Sequence, residues 1–82
     1  MRPVSYHVYW TADIADPLLA IVFSDREYAL AQAALLSETN KLTDIVAVQE
    51  DAYGCFQPIG VMVFYRRGNG RVDISRSGCF EE

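Results

Sequence analysis

Hydrophobic and polar residues are ordered along the chain in a way that predicts several short β-strands. Residues 4–10 alternate strictly, which is the two-residue period of a half-buried strand. The apolar set of this alternation is Val4, Tyr6, Val8 and Trp10. A loop containing Asp and Pro precedes an apolar run at residues 18–23, which predicts a second strand. The pattern predicts three more strands, at residues 44–50, 59–67 and 71–75. In residues 44–50 both alternating sets contain apolar side chains, so the pattern does not determine which face of that strand points inward.

The stretch SDREYALAQAALLSETN, residues 24–40, predicts the one helix. Ser24 and Glu27 have the S-x-x-E spacing of a capping box, in which the serine oxygen accepts an N–H and the glutamate reaches back to the cap. Acidic residues in the first turn suit the positive end of the helix dipole. Asn40 can end the helix in a left-handed conformation. We therefore expect a helix at residues 25–39.

The element order β-β-α-β-β-β predicts an α+β fold, with an antiparallel four- to five-stranded sheet and one helix on one face. We assign residues 1–76 to a single domain and residues 77–82 to a flexible tail. The alternative is that the tail folds back and Phe80 covers the sheet. A strand-strand-helix-strand-strand order recurs in many small proteins, including compact inhibitors carried by phages and other mobile elements, but the order alone assigns no family.

Asn69-Gly70 between two apolar runs predicts a β-hairpin with a two-residue type I′ turn. That turn would place Arg66 opposite Asp73. The face expected to pack on the helix is Val61, Val63, Tyr65, Val72 and Ile74. The face expected to point outward is Met62, Phe64, Arg66, Arg71, Asp73 and Ser75.

The overall composition favours a small globular protein. The 82 residues are 51% hydrophobic and 22% charged, and the net charge of −4 disfavours nonspecific binding of nucleic acid. No apolar run has the length of a membrane helix, and the first residues lack a signal sequence. Two cysteines, Cys55 and Cys79, are too few for a typical small extracellular scaffold. We expect a cytoplasmic protein with two free thiols.

The sequence offers no constellation for catalysis or for a cofactor. His7 is the single histidine and has no acid close to it in sequence. The two cysteines lack the paired spacing of a zinc site, and Gly68-Asn69-Gly70 joins two strands instead of opening a helix as a phosphate loop does. We therefore expect neither an enzyme nor a bound metal or cofactor.

Two surfaces remain as candidates for binding. Residues 66–76 contain four arginines and one aspartate, which either protect a sheet edge from aggregation or anchor an acidic or phosphate-bearing partner. In the second case Arg66 and Arg71 would act beside Phe64. One helix covers one side of a sheet, so the outer face should expose apolar side chains such as Tyr9 and Met62.

These features favour a small, acidic, noncatalytic module that occupies a surface of a larger protein. An inhibitor of a nucleic-acid-handling complex, of the type that mobile elements carry, is one form it could take. The candidate partner-binding residues are Tyr9, Met62, Phe64, Arg66 and Arg71. One alternative is a homodimer with face-to-face sheets and a small-molecule site. Another is a single-stranded nucleic-acid binder that uses Tyr9, Phe64 and the hairpin at residues 66–71.

Overall fold

The structure, a computed structural model, describes residues 3–12 and 19–81 and contains one helix and five strands. The elements are β1 (Val4–Thr11), β2 (Leu19–Phe23), α1 (Arg26–Ser37), β3 (Leu42–Glu50), β4 (Phe56–Arg66) and β5 (Val72–Gly78). Residues 13–18, predicted as a loop and the start of the second strand, lie outside the described residues. The strands form one antiparallel sheet in the order β2-β1-β3-β4-β5. The predicted α+β class and element order are confirmed.

Helix α1 packs across β1, β3 and β4 through small side chains. Ala29, Ala33 and Ser37 are buried and lie four residues apart, on one side of the helix. Their small size lets α1 approach the sheet closely, so larger side chains of the sheet fill the space beneath it. The buried hydrophobic residues are Val8, Ala29, Ala33, Ile45, Ala47, Met62, Phe64 and Phe80. Within the described residues, no helix combines the length and hydropathy that crossing a bilayer requires.

Both ends of α1 differ from the prediction by one or two residues. Asp25 is the N-cap: its Oδ1 accepts the backbone N–H of Glu27 at 3.0 Å. The predicted capping box of Ser24 with Glu27 is wrong, because Asp25 is an equally good cap whose charge also suits the helix dipole. Asn40 does not adopt a left-handed conformation. Its side-chain Nδ2 instead donates to the Leu36 carbonyl oxygen at 2.9 Å, which satisfies the last turn.

The β4–β5 hairpin has a three-residue loop in place of the predicted two-residue type I′ turn. The N–H of Arg67 donates to the Arg71 carbonyl at 2.8 Å, and that of Gly70 donates to the Arg67 carbonyl at 2.9 Å. Gly70 has a φ of 87°, whereas Asn69 does not have a positive φ. A turn followed by one left-handed glycine is a common three-residue hairpin loop, and it requires a positive φ at one position instead of two.

The longer loop shifts the pairing by one residue. Arg66 lies opposite Val72, Tyr65 opposite Asp73 and Phe64 opposite Ile74. A shift of one residue changes which side chains share a face, so Val72 and Ile74 lie on the same face as Phe64.

The predicted orientation of β4 is also wrong. Met62 and Phe64 are 7% and 4% exposed and lie beneath α1, whereas the prediction placed them on the outer face. Val61, Val63 and Tyr65, which were expected to pack on the helix, point to the opposite side of the sheet. The larger side chains of Met62 and Phe64 fill the space that the alanines of α1 leave.

The chain after β5 folds back over one end of the sheet. Gly60 lies opposite Gly78, and a Cβ at Gly60 would stand 2.6 Å from Cys79 Sγ, so glycine is needed for this close crossing. The N–H of Cys79 donates to the Ile59 carbonyl at 2.9 Å. Phe80 is buried and makes an edge contact with the Tyr6 ring at a centroid distance of 6.4 Å. Residues 77–80, assigned from sequence to a flexible tail, therefore belong to β5 and the core. The burial of Phe80 agrees with the alternative expectation that the tail folds back. Glu82 lies outside the described residues.

Candidate functional site

The face of the sheet opposite α1, which we call the open face, is covered by no other described element. By strand register it comprises Ser5, His7, Tyr9, Thr11, Ala20, Val22, Leu42, Asp44, Val46, Val48, Val61, Val63, Tyr65, Asp73, Ser75 and Ser77. Thr11, at the end of β1, is buried, and the others are half-buried or exposed. The open face is therefore available to another molecule over several strands.

Valines dominate the middle of the open face. Val46 of β3 lies opposite Val61 of β4 and opposite His7 of β1, and His7 in turn lies opposite Val22 of β2. Val63 is the partner of Asp44, so the valines of β3 and β4 are contiguous, and His7 of β1 lies between them and Val22 of β2. An antiparallel sheet that faces water normally alternates apolar residues inside with polar residues outside. A contiguous apolar surface on the water side is typical of an interaction site.

Asp44 is the exception within this apolar surface. It lies on β3, the middle strand of the five, between Tyr9 and Val63. Burial raises the pKa of its carboxyl group above the usual range. Its Oδ1 atom is buried and has no hydrogen-bond partner among the described residues. A buried acceptor without a partner costs about 1–3 kcal/mol, so a donor from outside the domain would be favourable here.

Two aromatic side chains flank Asp44 along β1. The rings of His7 and Tyr9 are stacked, with centroids 6.4 Å apart and an interplanar angle of 19°. The strand pairing places His7 diagonally from Asp44, although the two are distant in sequence. Asp44 is not among the site residues predicted from the sequence. The sequence did contain a signal for it. Of the two alternating sets of residues in β3, the one with a carboxylate is expected to point away from the core.

The arginine-rich hairpin is partly neutralised by its own aspartate. Asp73 binds Arg67 through the guanidinium Nε, and its other oxygen lies 3.4 Å from the Nε of Arg71. The contact raises the pKa of Arg67. The predicted pairing of Arg66 with Asp73 is wrong, because the shifted register places Arg66 on the α1 face. There its Nε is buried and has no hydrogen-bond partner in the part of the chain that the structure describes.

The structure does not bring the five predicted partner-binding residues together. Tyr9 lies on the open face, and Arg71 lies in the hairpin loop with its guanidinium near Asp73. Met62 and Phe64 are in the core, and Arg66 is on the α1 side of the sheet. Buried side chains add little contact area, so a binding surface has to be built from the open face without them.

A cavity of about 530 Å³ lies on the other side of the sheet, beside the first turn of α1. It is lined by Arg26, Glu27, Leu30, Met62, Arg76 and Phe80. The guanidinium of Arg26 lies 5.6 Å from the centroid of the Phe80 ring, and its Nη1 lies 3.7 Å from the Glu27 carboxylate. Glu27 thus offsets one of the two positive charges, and the cavity carries at most a weak preference for an anion.

Among the described residues no three metal-ligating side chains cluster together, and both Cys55 and Cys79 are exposed free thiols. Neither a family model, nor a curated protein, nor a solved structure matches the chain. The geometry of the open face is therefore the basis for assigning a function.

Proposed function

We propose that the protein is a noncatalytic binding module that occupies a surface of a larger protein with its open face. The observation that carries the proposal is the contiguous valine surface around Asp44. Covering this surface would remove apolar area from water, which is the main driving force of protein association.

Asp44 defines the chemistry of the partner. Its unpartnered oxygen would be satisfied by a lysine or arginine surrounded by apolar side chains, and the net charge of −4 favours approach to a basic surface. Complexes that handle nucleic acid carry such surfaces to bind phosphates. An inhibitor that covers one, of the type that mobile elements encode, is the specific form of this proposal.

The open face favours this partner over a second copy of the chain stacked sheet to sheet. Such a homodimer would bury two Asp44 carboxylates, and the middle of the face supplies neither lysine nor arginine to pair with them. Burying a charge without a partner is costly. The single-stranded nucleic-acid alternative is also disfavoured, because Tyr9 and Phe64 lie on opposite sides of the sheet and the carboxylate of Asp44 would repel phosphate.

Affinity capture with matched variants tests the proposal. Val61→Lys puts a charge in the middle of the open face, and Ile74→Lys makes the same kind of change on the opposite face of the same hairpin. Tagged wild type and Ile74→Lys should capture the same protein from nuclease-treated extract of the host cell, and Val61→Lys should lose it. Thermal unfolding of each variant verifies that it is folded.

Asp44→Asn sharpens the test because it keeps the shape of the side chain and removes the charge. Loss of a charge-assisted hydrogen bond of about 1.5 kcal/mol should weaken the purified complex roughly tenfold. Capture that survives Val61→Lys, or that disappears when nucleic acid is digested, contradicts the proposal.

A further inference from the structure

The two edges of the sheet are protected to different degrees. β2 and β5 are the edge strands. β5 carries Asp73 and Arg76, and charged residues on an edge deter pairing with other chains. β2, with the sequence LAIVF, contains no charged residue, glycine or proline. Alternate N–H and C=O groups of an edge strand point away from the sheet. No residue outside β1 pairs with β2 in the described ranges 3–12 and 19–81, so its outer edge is a template for another strand.

Exposed apolar side chains surround this unprotected edge. Ile21 lies on the α1 side of β2 and is 47% exposed, and Val22, on the open face, is more than half exposed. The ring of Tyr28, in the first turns of α1, packs edge-on against Phe23 at a centroid distance of 5.3 Å, so this side of the helix adjoins β2. Leu35 lies two helical turns after Tyr28, on the same side, and is also more than half exposed. Together these residues and β2 form one apolar surface, the β2 flank.

We propose that the β2 flank is a dimer contact, in which β2 pairs antiparallel with β2 of a second copy of this chain. A twofold axis through the middle of the strand places Ile21 opposite its own copy and Ala20 opposite Val22. Every pair that meets is uncharged, so the contact buries no charge. The two sheets then form one continuous sheet of ten strands, and the edge groups of both β2 strands become hydrogen-bonded.

A second copy fits this surface better than an unrelated chain does. The contact needs an edge strand to pair with β2 and, at a fixed position beside that strand, apolar side chains to cover Tyr28 and Leu35. The axis lies perpendicular to the sheet, so both α1 helices are on the same side. Tyr28 and Leu35 of one copy then approach those of the other above the paired strands. A second copy thus supplies both the strand that β2 lacks and the apolar side chains that cover the flank.

The dimer contact leaves the valines of β3 and β4 around Asp44 uncovered, so it goes beyond the proposed function and does not depend on it. It would place two open faces side by side in one surface, which would raise the apparent affinity for a partner with repeated binding sites.

Light scattering coupled to size exclusion, over a dilution series, tests the contact with a matched pair of variants. Ile21→Lys puts two lysines opposite each other on the twofold axis, where like charges are destabilising. Ile74→Lys makes the same change on the other edge strand, at a residue that is 44% exposed compared with 47% for Ile21. Wild type and Ile74→Lys should elute as dimers that dissociate on dilution, and Ile21→Lys should be monomeric throughout.

Disulfide cross-linking gives a second readout that does not depend on how well a lysine is tolerated. Directly opposed residues of antiparallel strands have Cα atoms about 4.5–5.5 Å apart, within the range of a disulfide. In a background of Cys55→Ser and Cys79→Ser, Ile21→Cys should form a covalent dimer on mild oxidation and Ile74→Cys should not. A wild type that stays monomeric at the highest attainable concentration overturns the proposal. So does a dimer that resists Ile21→Lys, or one in which Ile74→Cys cross-links as well as Ile21→Cys.

Discussion

The carboxyl group of Asp44 lies in a position that opposes its own ionisation. Burial raises its pKa, so the folded state binds the proton more tightly than the unfolded state does. The ionised form therefore weakens folding at pH values above the raised pKa. The weakening disappears as the pH falls through the raised pKa towards the unfolded value of about 3.9, because the carboxyl is then neutral in both states.

Asp44→Asn should therefore stabilise the isolated domain at neutral pH. We expect a gain in the free energy of unfolding of up to about 1 kcal/mol, modest because the group is only partly buried. The gain should shrink on acidification. Urea denaturation of wild type and variant at neutral and acidic pH measures the difference, and a gain that is independent of pH would show that charge is not its cause.

Asp51→Asn is the control of opposite sign. The Oδ1 atom of Asp51 accepts the backbone N–H groups of Tyr53 and Cys55 at 2.8 and 3.0 Å, which lowers its pKa. Its stabilising effect is present above the unfolded pKa and is lost as the pH falls through the lowered folded pKa. This variant should therefore destabilise the protein at neutral pH, and the loss should become smaller in acid.

At the scale of single elements, the N-cap of α1 provides a direct test between neighbouring residues. Asp25 accepts the Glu27 N–H, whereas Ser24 lies one residue before the cap. Asp25→Ala should lower the free energy of unfolding by about 1 kcal/mol, the usual effect of removing an N-cap. Ser24→Ala should change it by less than about 0.5 kcal/mol, as at other surface positions. Equal losses in urea denaturation would indicate that the two residues share the capping role.

The elements themselves and the inward face of β1 could be predicted from local pattern, but the faces of β3 and β4 and the register of the hairpin could not. The alternation at residues 4–10 and the alanine-rich stretch after Asp25 predict a strand and a helix, because both patterns are local. In β4, by contrast, one set contains Val61 and Val63 and the other Met62 and Phe64. Both sets are apolar, so hydrophobicity does not determine which of them faces the helix. The orientation depends instead on the small residues of α1, which are distant in sequence.

The candidate site was predicted in outline and missed in detail for the same reason. One helix on a sheet leaves one face open, and this follows from the element count alone. Which residues occupy that face depends on the orientation of β3 and β4. Tyr9 was placed correctly because β1 alternates strictly. Asp44 was missed because the alternation in its strand left the inward face open.

At the scale of the whole molecule, the C-terminal turn closes the core. Phe80 is buried against Tyr6 and Arg26, and the close crossing at Gly60 fixes the turn that carries it. Local composition predicted a tail here, because burial of Phe80 depends on partners that lie more than fifty residues earlier in the sequence. The same turn borders the cavity beside α1.

Phe80→Ala should therefore destabilise the entire fold and not only its C-terminus. Truncating a buried phenylalanine costs about 3–5 kcal/mol, and a domain of this size has a total stability on the order of 4–12 kcal/mol. The variant should consequently unfold at a much lower urea concentration than the wild type, and near-ultraviolet circular dichroism from the whole molecule should be lost in that single transition. Glu81→Ala, at the exposed next residue, is the matched control and should leave the unfolding transition in place. If Phe80→Ala unfolds at the same urea concentration as Glu81→Ala, the last turn contributes nothing to the core, and the domain ends at β5.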